Sequence, residues 1–233
     1  MQISVITVTF NAASTLESCI ESVLRLKRED VEFVVIDGGS KDGTLGILER
    51  YHNAIDVLVS EPDKGIYDAM NKGLERASGD YVLFLGADDL LLHFPRLELS
   101  QEPDLVLGDV DCGNWTFRHL RPEAALRARM RHRNGIHPQG TFYRKTEIRY
   151  CLDYRYSADY LFNVKHLDHA AKVTYCDAAI SRFCTQGASA GWAAKREAIT
   201  IATRRFGRRE GLRSLGYHLG SHFLNWLRKH HNS

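Results

Sequence analysis

The chain of 233 residues reads as an α/β protein in which a mostly parallel sheet is flanked by helices and followed by a C-terminal helical extension. Three observations predict this. Short apolar runs alternate with amphipathic helical segments as far as Leu85, each run ends on a polar cluster, and the chain from Gly191 onward is helix-like and basic. Strands covered by helices on both faces read as continuous apolar runs, and consecutive βα units give parallel pairing. In such sheets ligands sit beyond the carboxyl ends of the strands.

Ile3 to Phe10 is apolar and β-rich. It gives way at Asn11 to Ser14-Thr15-Leu16-Glu17, a capping-box pattern opening a helix whose Leu16, Cys19, Ile20, Val23 and Leu24 share one face. Phe33 to Asp37 leads into a helix around Leu45 to Tyr51, and Asp56 to Ser60 into a helix carrying Ile66, Met70, Leu74 and Ala77. Tyr81 to Leu85 is the fourth strand. The rhythm breaks after Asp89. Residues 104–111 and 115–120 read as two strands, Pro122 to Arg133 as an Arg-rich helix and 140–145 as a strand. Ala158 to Leu167 reads as a helix, and 172–176 with 179–183 as a strand pair. With no repeat or low-complexity linker, the expected organisation is one domain over 1–203, divided into halves 1–90 and 91–203, with a tail over 204–233.

The net charge of +2 conceals a polarity along the chain. Residues 1–120 hold 10 Lys/Arg against 21 Asp/Glu, 121–203 hold 14 against 7, and 204–233 hold 7 against 1. The basic second half calls for an anionic partner, for which nucleotide diphosphate, acidic lipid and nucleic acid all qualify, or else forms a solvated basic surface. Nucleic acid is not expected, since no recognition motif accompanies the charge. Five cysteines, odd in number and never spaced CxxC, indicate neither a disulfide framework nor a zinc site and suit a reducing cytoplasm. MQISVITVTFN lacks a basic n-region and a cleavage site, and no apolar run approaches the roughly 18 residues that cross a bilayer, so a cytoplasmic protein is expected.

Polar clusters fall at each strand end: Thr9-Phe10-Asn11, Asp37-Gly38-Gly39-Ser40, Ser60-Glu61 and Asp88-Asp89. Adjacent Asp88 and Asp89 would repel one another without a cation, and hard divalent ions bind a few carboxylates while taking water and phosphate oxygens for the rest. Just upstream, an amphipathic helix carries Asp68 and Asn71, so a metal-bound diphosphate has a place between them. The DGGS turn at Asp37 suits either an Asx-type structural turn or close backbone approach to an anion.

Together ISVITVTFN, VVIDGGSKDGT and EPDKGIYDAMNKGLERASGDYVLFLGADD resemble the family 2 glycosyltransferases of the GT-A fold, closely over the first 90 residues and loosely to about Trp192. The resemblance implies a Rossmann-like sheet, a nucleotide-diphosphate sugar donor, Mn²⁺ or Mg²⁺, and inversion at the anomeric carbon. It places Thr9, Asn11 and Asp37 near the nucleotide and Asp88 near the ribose, with Asp89 as metal ligand. Lys64 is placed toward a phosphate, and Asp68 and Asn71 on the donor side. Where the family commonly has D-D-x-S, Gly38 holds the second position. Where it often has D-x-D-D, Gly86 holds the first. An inverting transfer needs a carboxylate to take the acceptor proton. The acid in YSADYLFNV, Asp159, matches that role, with Asp153 in reserve and a helix-capping role as the plain alternative. His137 in HPQGTFYR resembles an H-Q-x-x-F-Y-R segment despite Pro138, and is placed at the donor phosphate or the acceptor. Gln186-Gly187-Ala188-Ser189 resembles a loop that closes near the donor.

The implied acceptor is a glycan or lipid-linked glycan of the cell surface. In the tail, Leu212, Leu215, Leu219, Phe223, Trp226 and Leu227 recur at helical spacing beside Arg208, Arg209, Arg213, Arg228 and Lys229. This stripe suits a packed helix, a dimer contact or an interfacial helix on an anionic membrane. The oligomeric state is not readable. A noncatalytic sugar-nucleotide or membrane-glycan binding module is the rival reading. A nucleotidyltransferase is a second rival, disfavoured because the first strand is not followed by a basic, Gly-rich phosphate loop.

Overall fold

The computed structural model describes residues 1–184 and 191–230, the last ten of these as backbone alone. The four expected strands are β1 (Ile3–Thr9), β2 (Val31–Asp37), β3 (Val57–Ser60) and β4 (Tyr81–Gly86), joined by α1 (Leu16–Leu26), α2 (Thr44–Arg50) and α3 (Ile66–Arg76). They pair in parallel in the order β3-β2-β1-β4. Every residue of β1 and β2 is buried, as helices on both faces require. Alternate residues feed opposite cores. Ile6, Val8, Val34 and Ile36 meet Met70 and Leu74 of α3, while Val5, Phe33 and Val35 meet Leu16, Ile20 and Val23 of α1. Each of these large side chains contributes about 1.5–3 kcal/mol by leaving water.

The capping box does not form. Thr15 occupies the N-cap without a side-chain cap bond, its hydroxyl donating to Ala12 O at 3.4 Å, and Glu17 instead meets Arg50 at 3.0 Å and the Tyr51 hydroxyl at 3.1 Å, fastening α1 to the end of α2.

The second half extends the same sheet with mixed polarity through β5 (Leu90–Leu91), β6 (Leu105–Asp111), β7 (Thr116–Phe117), β8 (Thr141–Arg144) and β9 (Val173–Arg182). β8 lies antiparallel between β4 and β6, β9 runs parallel to β6, and β5 closes the far side, giving β3-β2-β1-β4-β8-β6-β9-β5 with β7 paired to β6. Helices α4 (Arg96–Leu99), α5 (Glu123–Met130) and α6 (Ala158–His169) connect them. The expected strand pair at 172–183 is one strand. Its register against β6 slips where Tyr175 and Ala179 oppose Leu107 and Asp109, and exposed Asp177 sits in the slip. A bulge with an outward charge looks in sequence like a turn, although the chain does not reverse.

Two helices, α7 (Trp192–Phe206) and α8 (Arg208–His230), follow, separated by Gly207 at φ 94°. Glu210, Gly211 and Ser214 form the buried face of α8. A Cβ on Gly211 would stand 2.0 Å from Thr203 Oγ1, so the absence of a side chain permits the approach of α7 and α8. That packing turns Leu212 and Leu219 outward, at 69% and 49% exposure, and leaves Leu215 half-buried. The apolar stripe is therefore not the face that packs on α7. The side chains of Phe223, Trp226 and Leu227 and the loop Gln186 to Ser189 lie outside the described residues. Among the described residues no helix is long and apolar enough to cross a membrane.

Candidate functional site

Register places Thr9 opposite Asp37, Asp37 opposite Ser60 and Val8 opposite Gly86, so four strand ends share one rim. Asp37 is fully buried. Its Oδ2 accepts Gly39 N at 3.1 Å, Ser40 N at 3.1 Å and Ser60 Oγ at 2.7 Å, while Oδ1 accepts Ser40 Oγ at 2.5 Å. Asp37 thus builds the turn. Asn11, at φ 50°, receives Lys41 N on Oδ1 at 2.8 Å and gives its own N–H to Ser40 Oγ at 2.8 Å, which locks the β1 loop to the β2 loop. Phe10, 60% exposed, projects beside them, and Thr9 Oγ1 is buried with no partner among the described residues.

Gly38 accounts for a residue that sequence reasoning missed. A Cβ there would meet Asp63 Oδ2 at 2.3 Å and Phe10 Cδ2 at 3.4 Å, so the Asp63 carboxylate fills the space above position 38. An acid from the β3–α3 loop thus occupies the place beside the turn, which no local spacing announces.

Two residues expected on the donor side make contacts within the framework. Asp68, in the first turn of α3, accepts Lys64 N at 3.0 Å and lies 3.7 Å from Lys72 Nζ. Asn71 accepts Tyr150 N at 2.8 Å and donates to Tyr150 O at 3.0 Å, committing its amide to a contact 79 residues away. Lys64 stands exposed in the turn, and among the described residues its ammonium forms no ion pair.

At the end of β4 the two acids part. Asp88 is exposed, whereas Asp89 is 1% exposed and accepts Gly86 N at 3.0 Å and Cys184 N at 2.9 Å. Burial, with Asp88 adding its charge, pushes the Asp89 carboxyl up to about 6. A Cβ at Gly86 would lie 2.6 Å from Asp89 Oδ2 and 2.9 Å from Asp88 Oδ1, so glycine is what lets both carboxylates fold over the strand end. Asp88 is exposed at the rim, while Asp89, the expected metal ligand, is buried and fastens the strand end to Cys184 behind it. Among the described residues no group of three or more His, Cys, Asp or Glu is placed to cage an ion. The fit is instead to a hard divalent ion shared with phosphate oxygens, for which one or two carboxylates suffice.

Asp159 opens α6 half-buried, with Tyr67 Oη 3.3 Å from Oδ1 and Asn134 Nδ2 donating to Oδ2 at 2.9 Å. The Tyr67 hydroxyl also lies 3.0 Å from Tyr156 O, and its ring stacks on Tyr150 at 5.2 Å. Burial raises the Asp159 carboxyl to about 6, against the hydrogen bonds from Tyr160 N, Tyr67 and Asn134 that lower it. Such a group is ionised at neutral pH yet basic enough to accept a proton. Glu197 of α7 braces the segment leading into α6, its carboxylate accepting the N–H groups of Arg155, Tyr156 and Ser157 at 2.8–2.9 Å, while the N-cap Ser157 makes no side-chain cap bond. Asp153 stands exposed nearby in the chain.

His137 packs edge-on between Phe117 at 5.3 Å and Phe183 at 4.8 Å. Burial pushes it down to about 4, so it is neutral at physiological pH and brings no positive charge to a phosphate. His119, driven by burial to about 3, accepts the His137 N–H on Nε2 at 3.1 Å. The same loop joins both carboxylate centres, since Asn134 bonds Asp159 and the Gln139 side chain bonds Asp89.

Comparison with known proteins bears on the family and the fold. The family model described as glycosyl transferase family 2 matches residues 4–153. A "PGL/p-HBAD biosynthesis glycosyltransferase" of Mycobacterium bovis is 37% identical over 185 residues, covering 73% of this chain and 72% of that protein. Among solved structures, residues 1–349 of S. aureus TarS in complex with UDP-GlcNAc superpose with a TM-score of 0.70 at 20% identity, covering 88% of this chain and 66% of that one. The mannosyltransferase PcManGT from Pyrobaculum calidifontis, with GDP-Man and Mn²⁺, gives 0.63 at 18% identity, covering 87% of this chain and 64% of that one. These similarities establish the GT-A fold.

Proposed function

Because the chain belongs to glycosyl transferase family 2, we propose that it is an inverting transferase moving a sugar from a nucleotide diphosphate to an acceptor hydroxyl with Asp159 as base. The observation that carries this reading is Asp159 itself, a carboxyl raised to about 6 and aimed by Tyr67 and Asn134. As the acceptor oxygen attacks the anomeric carbon, its proton passes to an Asp159 oxygen. The new C–O bond forms opposite the breaking one, and the diphosphate leaves with the bonding pair. The loops of Thr9, Asn11 and Asp37 form the nucleotide cradle, with Phe10 and Asp63 facing the base. Lys64 reaches toward the diphosphate. Asp88, braced by Asp89, would hold Mn²⁺ or Mg²⁺. When bound, such an ion offsets charge on the departing diphosphate. The solved relatives with UDP-GlcNAc and with GDP-Man and Mn²⁺ support this donor class.

The acceptor is a cell-surface glycan or its lipid carrier, supported by the relative named for PGL/p-HBAD biosynthesis and by the outward Leu212 and Leu219 beside the arginines of α8. An amphipathic basic helix of this kind holds a domain at an anionic bilayer interface without crossing it. Incubation with Mn²⁺ and a panel of sugar nucleotides is expected to show slow donor hydrolysis, together with a raised melting temperature for the matching nucleotide diphosphate. Binding without any turnover, in the presence of diverse glycan acceptors, would overturn the reading.

A further inference from the structure

Asp159 is the last acceptor in a chain of side-chain hydrogen bonds that begins inside the sheet. Asp159 and Asn163 stand four residues apart on α6, on one face of successive turns, and Asn134 from the loop after α5 bonds to both. The Tyr143 hydroxyl of β8 donates to Asn163 Oδ1 at 2.6 Å, Asn163 Nδ2 donates to Asn134 Oδ1 at 3.2 Å, and Asn134 Nδ2 donates to Asp159 Oδ2 at 2.9 Å. Tyr143 and Asn163 are fully buried.

The chain runs in one direction, because the backbone of a single residue orients both amides. Ile136 N donates to Asn134 Oδ1 at 3.2 Å, and Ile136 O accepts Asn163 Nδ2 at 3.0 Å. Turning over the Asn134 amide would set its amino group against the Ile136 N–H and the amino group of Asn163. Turning over Asn163 would set its oxygen against the oxygens of Ile136 and Asn134. Every donor of the chain therefore points toward the carboxylate. Dipoles lined up in this way polarise one another where water is excluded, and they favour the charged form of the group on which they end. The Tyr67 hydroxyl has no such constraint, since it lies 3.3 Å from Asp159 Oδ1 and 3.0 Å from Tyr156 O and can turn between them. The titratable groups that face Asp159 are Tyr67, Tyr143 and Tyr150, which burial raises and so leaves neutral at physiological pH, while Glu197 acts on Tyr67. What opposes the burial of the Asp159 charge is hydrogen bonding.

We propose that Tyr143, Asn163 and Asn134 are positioning residues for the transfer, a one-way relay that keeps the Asp159 carboxylate in its charged, proton-accepting form. This rests on Asp159 being the base.

Carboxyl-carbon NMR of the full-length protein labelled at aspartate tests it, with the Asp159 signal identified by its loss in Asp159→Asn. The titration midpoint is expected to rise by roughly half to one pH unit in Asn134→Ala, as loss of one hydrogen bond to the charged form implies. It should rise also in Asn163→Ala, although that side chain bonds Asn134 rather than Asp159. Tyr143→Phe removes a single oxygen, should raise the midpoint by less, and decides the matter where an alanine variant does not fold. Asn134→Ala/Asn163→Ala should match Asn134→Ala alone, since the relay passes through Asn134. A network that serves only the fold would lower the melting temperature of each variant without moving the midpoint. An unchanged midpoint in Asn163→Ala or in Tyr143→Phe overturns the relay, as does a double variant whose shift is the sum of the single ones. Slow donor hydrolysis with Mn²⁺, followed against pH on the same samples, should have its rising limb displaced in step with the NMR midpoint. A midpoint that moves while the limb stays fixed would leave the relay standing and count against Asp159 as the base.

Discussion

Asp159→Asn is expected to lower turnover by roughly 10²–10⁴ while leaving donor affinity within a few-fold, the effect of removing a positioned general base. In the native enzyme kcat should rise with pH through about 6, where the carboxyl loses its proton. The Tyr67 hydroxyl lowers that value, so Tyr67→Phe should shift the rising limb to higher pH. Both Asp159 and Asp89 have folded-state values raised from 3.8 to about 6. Their contribution to stability is therefore fullest when protonated, below about 4, and declines as pH rises through about 6. A pH–rate profile and a single-turnover measurement decide the matter. Near-native transfer by Asp159→Asn would move the base to exposed Asp153 or elsewhere.

Asp88→Asn and Asp89→Asn should separate binding from folding. Asp88 is exposed and spends neither oxygen on a backbone N–H among the described residues, so its amide variant should fold normally. It should lose cation-dependent nucleotide affinity by more than the roughly 10–100-fold that loss of an outer-sphere partner costs. Asp89 accepts two backbone N–H groups, and an amide there turns a donor toward one of them. A loss of about 1–3 kcal/mol in stability is expected, read as a lower midpoint in urea. Mn²⁺-dependent nucleotide binding by Asp88→Asn equal to that of the native protein would remove the metal role from this acid.

The contrast between these acids shows where sequence reasoning is informative and where it is not. The first four strands were readable because β1, β2 and β4 are buried on both faces, β3 is an apolar half-buried edge, and each is followed or preceded by a helix of clear period, so local pattern and tertiary role coincide. Beyond Asp89 the strands pair with mixed polarity to distant partners, β6 lying antiparallel to β8 and parallel to β9. Nothing local in Thr141–Arg144 says that it inserts between β4 and β6. The same limit governs the site. That acids stand at the end of β4 is a local fact. Which of the two faces outward depends on Cys184, 95 residues away. Asn71 looked like a ligand because it follows Asp68 on one helix, yet its partner is the backbone of Tyr150. That an acid stands at the start of α6 was legible locally, whereas its partners Tyr67 and Asn134 come from distant parts of the chain.

The carboxylate of Glu197 gathers three consecutive N–H groups of the 155–157 segment from a helix that begins more than thirty residues later in the chain. For anyone recombining transferases, this defines an inseparable unit. A chimera cut after residue 153, where the family match ends, would import a foreign segment 155–157 together with its own counterpart of α7. A chimera cut between α6 and α7 would instead leave three amide donors without their acceptor and the proton-accepting side chain on an unmoored helix start. Donor and acceptor preferences should therefore be exchangeable only when Ser157, Asp159 and Glu197 travel together, whatever is done with α8.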